Sequence, residues 1–458
     1  MQRGDAGPEP VRLATAYPIG LDPPAVSRRR QSAPHRGPAM THRGTIAVLG
    51  AGAIGVSVAL YLQRDGRDVV LIDQDEPGSG CSYGNAGLIQ CASVVPVATP
   101  GIVGAVPRML LDKNQPLHIR WRHLGSLAPY LLRFLREAQP ARVEANARAL
   151  SSLVPRAYED YRPLIEAAGI QSMVRPSGEL HVFETDAAFE NAKAANFAIR
   201  RAHGVRVDEL DADAVRQMEP GLARSVRHGL FLPDCYQTVN PQRFVAALAR
   251  NFIDNGGRFI KAKVTDIALR PGGPVAITTD GGEIVSEMVV LAFGAFSKPW
   301  ARKLGIAVQL DSERGYHVML PEPGVALNRT VVSGEYKFAL SPIDGKVRIV
   351  GSSELARVGA PPNYERAMRL LPLARHLLPG LNEAGQSLWM GHRPSTPDSL
   401  PLLGPVPANP NIIFAFGHNH SGLTLGGTTG KLIADLLAKR IQPSDLSPFS
   451  PTRFARAA

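Results

Sequence analysis

Residues 45–73, TIAVLGAGAIGVSVALYLQRDGRDVVLID, constrain the fold of this chain more than any other stretch. Ile46 to Leu49 is a short apolar run closed by glycine, the pattern of a strand buried on both faces. Gly50-Ala51-Gly52-Ala53-Ile54-Gly55 then supplies G-x-G-x-x-G, and an amphipathic helix follows with Val58 and Leu62 on one face. A second strand, Val69 to Ile72, ends at Asp73. Each residue type has a physical reason. Gly50 permits the tight turn, Gly52 lets the backbone approach a pyrophosphate, and Gly55 lets helix and strand pack closely. The helix N-terminus offers unpaired N–H groups and a positive dipole end to phosphates. Asp73 is the acid that holds a ribose hydroxyl, which argues against a 2′-phosphate and so against NADP. Strand, helix, second strand and terminal acid together specify dinucleotide binding, with NAD and FAD both open.

The rest of the chain adds organisation. Its 458 residues allow two or three domains. Residues 1–43 are rich in Pro, Arg, Ala and Gly without periodicity, and they read as a disordered extension with no export signal; Met40 stands before the first strand as an alternative start. That extension carries seven of the arginines behind the net charge of +11. The remaining positive charge is spread out, and no basic run interleaved with aromatics marks a nucleic-acid partner. Cys81, Cys91 and Cys235 form neither a disulfide framework nor a metal pair, which suits a reducing cytosol. No apolar stretch is long enough to span a bilayer.

After Asp73, Gln74 opens a glycine-rich loop through Ser82-Tyr83-Gly84-Asn85-Ala86-Gly87, read as a second ligand-contacting loop rather than a linker. Residues 118–139 combine Trp121, Leu124, Leu127, Leu131 and Phe134 with Arg120, Arg122, Arg133 and Arg136. This is a domain helix packed by its apolar face, with peripheral membrane contact as the alternative. Residues 142–168 and 186–202 also read as helices. The stretch from Gly229 to Pro233, a helix from Pro241 to about Asn255 and a strand from Phe259 to Val264 return to the α/β pattern. The strand Met288 to Leu291 runs into Gly294, where an open parallel sheet binds its ligand. Residues 308–350 alternate as an antiparallel sheet. A last strand, Ile412 to Phe416, enters Gly417-His418-Asn419-His420-Ser421-Gly422-Leu423-Thr424 and then a helix to about Leu437. Gly426 to Lys431 has the wrong spacing for a phosphate loop. His418 and His420 lack further ligands at metal spacing.

These motifs, in this order from Ile46 onward, resemble the D-amino-acid oxidase-like superfamily of FAD-dependent amine oxidoreductases, above all bacterial D-amino-acid dehydrogenases of the small-subunit type and D-hydroxyproline dehydrogenases. The carriers include the Gly50 box, the Ser82 to Gly87 loop, Ala292-Phe293-Gly294-Ala295-Phe296, Gly334-Glu335-Tyr336-Lys337, Arg393-Pro394 with Thr396-Pro397-Asp398, and Gly417-His418 with Gly422-Leu423-Thr424. The resemblance decides FAD over NAD. It implies a Rossmann-like FAD-binding domain (44–110, 221–300 and 386–445) interleaved with an α+β substrate domain built on an antiparallel sheet (111–220 and 301–385), followed by a tail at 446–458. It implies that Gly50, Ala51, Gly52, Ile54, Gly55, Asp73 and Gln74 hold the ADP half and that Val264 meets adenine by its backbone. Ser82, Gly84, Asn85, Ala86, Gly87, Gly294, Arg393, Gly417 and His418 join them. Gly422, Leu423 and Thr424 face the pyrimidine end of the flavin. No cysteine follows Cys235, where covalently flavinylated sarcosine oxidases carry theirs, so non-covalent FAD is expected.

The implied reaction oxidises the CH–NH group of a D-amino acid to an imine and then a 2-oxo acid, with hydride passing from Cα to flavin N5 and electrons onward to a quinone or protein carrier. Arg393 is the expected carboxylate clamp, with a structural pairing to Asp398 as the alternative. Tyr316 and Tyr336 are expected hydroxyl donors. Two departures from the family pattern, Arg314 before Gly-Tyr and Leu423 after glycine, are placed near the active site and leave room for D-hydroxyproline or an N-methyl amino acid. The alternatives are a glycine or sarcosine oxidase releasing hydrogen peroxide, a flavin subunit of a multi-subunit amine dehydrogenase, and a tRNA-modifying flavoenzyme. The expected location is the cytoplasm, or the inner face of the cell membrane.

Overall fold

The computed structural model describes residues 12–13, 40–41, 44–101, 117–119, 124–269 and 273–454. The expected disorder of 1–43 and the side chains of Arg120, Trp121 and Arg122 fall outside them, apart from two short pairs that the sequence did not suggest. Arg12–Leu13 runs parallel to Ser387–Leu388, and Met40–Thr41 runs parallel to Ile284–Val285.

The glycine-bounded strand Thr45–Leu49 lies inside a six-stranded sheet, flanked by Asp68–Asp73 and Met288–Leu291. Arg258–Lys261 and Asn409–Phe416 extend it in parallel, and Leu402–Val406 closes one edge antiparallel. Its apolar runs alternate between two cores. Ile46, Val48, Val69 and Leu71 face the helices Ala53–Arg64, Ala157–Ala167, Pro241–Asp254 and Gly426–Leu437. Ala47, Leu49, Val70 and Ile72 face a hairpin of Val264–Leu269 and Val275–Thr279 and the helix Ser297–Lys303. Burial on both faces explains why these strands are apolar throughout rather than alternating.

The expected strand from Phe259 to Val264 is two strands. The chain leaves the parallel sheet at Ala262, whose N–H still donates to Asp73 O at 2.8 Å, and turns into the antiparallel hairpin. The helical stretch 142–168 is broken around Val154–Arg156, where Pro155 lacks a donor, and residues 193–197 of the third helical stretch form a π turn.

The larger sheet runs Ser387–Ser395, Asp311–Leu320, Lys346–Leu355, Ala339–Ile343, Thr330–Ser333, Glu179–Phe183, His228–Leu232, Asp208–Asp211. Two of its strands were grouped with the nucleotide-binding part on sequence: His228–Leu232, which pairs with Glu179–Phe183, and Ser387–Ser395, which pairs with Asp311–Leu320. The helix Leu124–Glu137 buries Leu127, Tyr130 and Phe134 against Ala98 and Leu355, so its described apolar face is covered by the protein.

The glycines of Gly426–Leu437 also find their reason. A Cβ on Gly430 would sit 2.6 Å from Ser57 O, and one on Gly427 would sit 2.8 Å from Tyr161 N. They let this helix close on its neighbours. Gly55 is tighter still, since its Cβ would lie 1.8 Å from Gly50 O. We expect Gly55→Ala to cost about 3 kcal/mol or more, as overpacking against backbone that has nowhere to move. Gly66→Ala, where only the positive φ of 76° opposes a side chain, should cost about 1 kcal/mol. Urea unfolding of both variants, with flavin content after purification, measures the difference.

Candidate active site

The C-terminal ends of Thr45–Leu49 and Met288–Leu291 open onto a cleft of about 740 Å³ that runs from Asp73 to the face of the large sheet. This is where an open parallel sheet binds ligands. Gly50 turns with φ 110°, and its missing Cβ leaves room for Ala292 O, where a Cβ would come to 2.5 Å. Gly52 differs: the nearest atom a Cβ there would meet is Ser82 Oγ, at 3.7 Å, so this backbone faces open cleft. Asp73 accepts N–H donors from Ala51 at 2.6 Å and Asp75 at 3.0 Å. Its pKa is raised because burial outweighs these two bonds. Ile54, Gln74, Ser82, Gly84, Asn85, Ala86, Val264 and Gly294 also line the cleft.

Gly55, Gly87 and Gly417, expected to touch the cofactor, do not line it. Gly87 has φ 82° and its carbonyl accepts from Thr238; Gly417 has φ 84° and packs beside Thr396. All three shape backbone next to the residues that do face the cleft. At its far end, His418, Gly422, Leu423 and Thr424 form the wall that leads into the helix Gly426–Leu437. Leu423 O accepts from the buried Tyr161 hydroxyl at 2.9 Å, and Thr424 Oγ1 accepts from Gln90 N at 3.0 Å.

The other wall is the large sheet. Cross-strand register sets Glu313 opposite Arg393, Gly315 opposite Gly391 and His317 opposite Trp389. Two glycines in the middle make a floor. A Cβ on Gly315 would lie 2.5 Å from Arg393 Nη2, and one on Gly391 would lie 2.0 Å from the Trp389 ring, so each glycine makes room for a neighbouring side chain. Arg393 Nη1 donates to Glu313 Oε1 at 3.0 Å and to Ser353 Oγ at 2.8 Å. Its Nε and Nη2 make no hydrogen bond among the described residues. The expected alternative partner, Asp398, is held in two bonds by Arg453 at 2.7 and 3.0 Å.

Burial would raise the Glu313 carboxyl, but Arg393 and the hydroxyls of Ser353 and Ser395 outweigh it and hold its pKa below the usual range. Sequence reasoning missed Glu313. The signal was present in the alternation of Asp311–Leu320, which puts Glu313, Gly315 and His317 on one face, but the pairing with Arg393 spans 80 residues.

The same alternation corrects the tyrosines and Arg314. Tyr316 borders the cleft, but its ring turns to the opposite face, where its hydroxyl donates to Glu354 Oε2 at 2.7 Å and accepts from Asn363 N at 3.1 Å. Arg314 shares Glu354 and donates to the carbonyls of Arg357, Ala360 and Pro361. It anchors a loop behind the sheet rather than facing the cleft. Tyr336 lies in the turn between two strands, is 37% exposed, and packs edge-on against His376, outside the cleft.

The loop from Tyr83 to Asn85 is tied to this wall. Buried Arg348 donates through Nη1 to Tyr83 O at 2.8 Å and Asn85 O at 2.5 Å. His317 contacts Gly84 O at 3.3 Å and stacks on Trp389 with ring centroids 5.1 Å apart.

The family model for FAD-dependent oxidoreductases, DAO, matches residues 45–436. This chain belongs to that family. A FAD-dependent oxidoreductase needs a cradle for a pyrophosphate and room for a ring system, and the open backbone at Gly52, the helix start behind it and the long cleft fit that group. The D-amino-acid oxidase of Bradyrhizobium diazoefficiens is 37% identical over 416 residues, covering 89% of this chain and 98% of that protein. The glycine oxidase of Geobacillus kaustophilus superposes with TM-score 0.67 at 26% identity, covering 89% of this chain and 98% of its own. The L-proline dehydrogenase of P. horikoshii shares the fold, with TM-score 0.66 at 18% identity over 91% of this chain and 99% of its own. The chain is thus an FAD-dependent enzyme of amine and amino acid oxidation. No helix among the described residues is long and apolar enough to cross a membrane.

Buried histidines surround the cleft of this oxidoreductase. Burial pushes His418, which shares a 2.9 Å hydrogen bond with Thr429 Oγ1, down to about 3. Burial, helped by Arg314, pushes His392 down to about 4. Both are neutral in the fold, whereas the unfolded chain protonates them near pH 6.5. Their contribution to stability is therefore complete above that pH and is lost as the pH falls towards about 4 and then 3. Urea unfolding of the FAD-saturated protein between about pH 8 and about pH 4 should show stability falling, with a shallower fall in His418→Gln. An unchanged slope in that variant contradicts a neutral buried His418.

Proposed function

We propose that this enzyme oxidises the CH–NH group of a D-amino acid, with the Nε–Nη2 edge of Arg393 clamping the substrate carboxylate. The single observation that carries this is that edge: a guanidinium laid over Gly315 at the cleft, fixed through Nη1 by Glu313 and Ser353, with its bidentate donors unspent. FAD, held along Gly50, Gly52 and the helix start behind them, would supply the hydride acceptor for the substrate Cα. The chain's own part is to bind and orient. Arg393 fixes the carboxylate, and the sheet floor at Gly315 and Gly391 admits the substrate backbone close to the wall.

Glu313 is a weak base because Arg393 and two hydroxyls stabilise its ionised form. The proton on the substrate nitrogen therefore leaves to solvent before oxidation, and the neutral amine assists the departure of hydride. The imine hydrolyses to a 2-oxo acid and ammonia, or persists when the substrate is a ring amine such as D-hydroxyproline. Gly422, Leu423 and Thr424, in the backbone leading into the helix Gly426–Leu437, would offer N–H groups and a positive dipole end to negative charge on a bound flavin.

The electron acceptor is a quinone or a protein carrier in this reading. The D-amino-acid oxidase of Bradyrhizobium diazoefficiens favours a second reading in which oxygen accepts the electrons and hydrogen peroxide is released. Oxygen uptake with substrate and no added dye separates the two. The D-amino-acid reading itself is tested by anaerobic titration of the purified holoenzyme with D-amino acids, D-hydroxyproline, glycine and sarcosine. We expect D-amino acids to bleach the flavin band. Arg393→Ala should retain FAD and lose roughly a thousandfold in kcat/KM, the value of two charge-assisted hydrogen bonds. Flavin that stays oxidised with every amino acid overturns the reading.

A further inference from the structure

We propose that Glu313 makes the site select zwitterions: it neutralises Arg393 against simple carboxylates and accepts the substrate's own cationic nitrogen. This rests on the carboxylate-clamp reading of Arg393 and extends it to the second charged group of the substrate.

Four observations carry it. Glu313 lies directly opposite Arg393 across two strands and is bonded to it at 3.0 Å, while its side chain remains 19% exposed. Ser353 and Ser395 donate to its two oxygens at 2.7 and 2.9 Å, so the carboxylate is held from both sides. These two bonds and the one from Arg393 occupy three of its roughly four acceptor positions and leave one for a ligand. Finally, His392, lowered to about 4, and Cys81, raised to about 11, are uncharged beside the pair at neutral pH; His420 is exposed in the cleft with its pKa lowered, and the more distant Glu179 and Arg200 oppose each other in sign around it.

The consequence follows from electrostatics. A carboxylate without an amine approaches an arginine already neutralised and finds a second negative charge next to it. An amino acid brings a positive nitrogen two bonds from its carboxylate, and that nitrogen meets Glu313 while the carboxylate meets the Nε–Nη2 edge. Charge–charge repulsion rejects the first ligand, and complementarity retains the second. An arginine kept only as a structural prop would not need a partly exposed carboxylate partner held by two further hydroxyls.

Two isosteric probes separate the effects. 2-Aminoisobutyrate has the carboxylate and the amine but no Cα hydrogen, so it binds without being oxidised. Isobutyrate has the same skeleton without the amine. Calorimetric titration of the holoenzyme should give tighter binding of 2-aminoisobutyrate. Glu313→Gln keeps the shape and the acceptor for Arg393 but removes the charge. It should weaken 2-aminoisobutyrate roughly tenfold and strengthen isobutyrate roughly tenfold, inverting the preference. If both ligands weaken together, or neither changes, Glu313 only positions Arg393 and the inference is overturned. If isobutyrate binds Glu313→Gln equally well with Arg393→Ala added, the carboxylate clamp itself is wrong, which is a different failure with a different signature.

Discussion

A buried arginine ties the two halves of this site together. Arg348 is almost inaccessible and makes no ion pair among the described residues. Burial lowers its pKa to about 10, which leaves it charged at neutral pH. A buried charge costs several kcal/mol unless something compensates it. Here the compensation is two main-chain carbonyls, Tyr83 O and Asn85 O, together with the Tyr83 ring 5.7 Å away. Nη1 of this cation finds its two acceptors only when the loop from Tyr83 to Asn85 lies against the sheet, while its buried Nε has no partner among the described residues. Gly84 meets the same requirement from the other side, because the Trp389 ring occupies the space of its missing side chain. One interaction therefore brings the loop that lines the cleft to the wall that carries Arg393.

That joint makes one cleft out of two different sheets. The parallel sheet supplies backbone: a turn at Gly50, an approach at Gly52 and a helix start. The large sheet supplies the opposing wall from two adjacent strands: Gly315 and Tyr316 of one and the run Trp389 to Pro394 of the other line the cleft, while the Tyr316 ring packs in a separate core. The glycine floor fixes where Arg393 lies, since any side chain at Gly315 would displace the guanidinium.

Some of this was legible in the sequence because its cause is local. The Gly50 box, the acid at Asp73 and the helix after Thr424 are fixed by backbone geometry within a few residues, and they fall where the pattern puts them. What was missed is non-local. Nothing in His228–Leu232 or Ser387–Ser395 announces which sheet a strand joins, and both went to the wrong one. Glu313 and Arg393 are neighbours only through strand register. Tyr316 does border the cleft, but its hydroxyl was misplaced: it is spent on Glu354 and Asn363 across the sheet, partners that the sequence order does not reveal. Tyr336 resembled a site residue by motif, yet the turn that holds it projects to the surface. The pairing of Asp398 with Arg453 hid in a tail that carried no sequence signal.

The most direct measurement of the central claim is a crystal structure of the FAD-loaded protein with 2-aminoisobutyrate bound. The account predicts the ligand over Gly315, its carboxylate on Nε and Nη2 of Arg393 and its nitrogen turned to Glu313. A ligand seated elsewhere in the cleft, with the Arg393–Glu313 pair untouched, contradicts it.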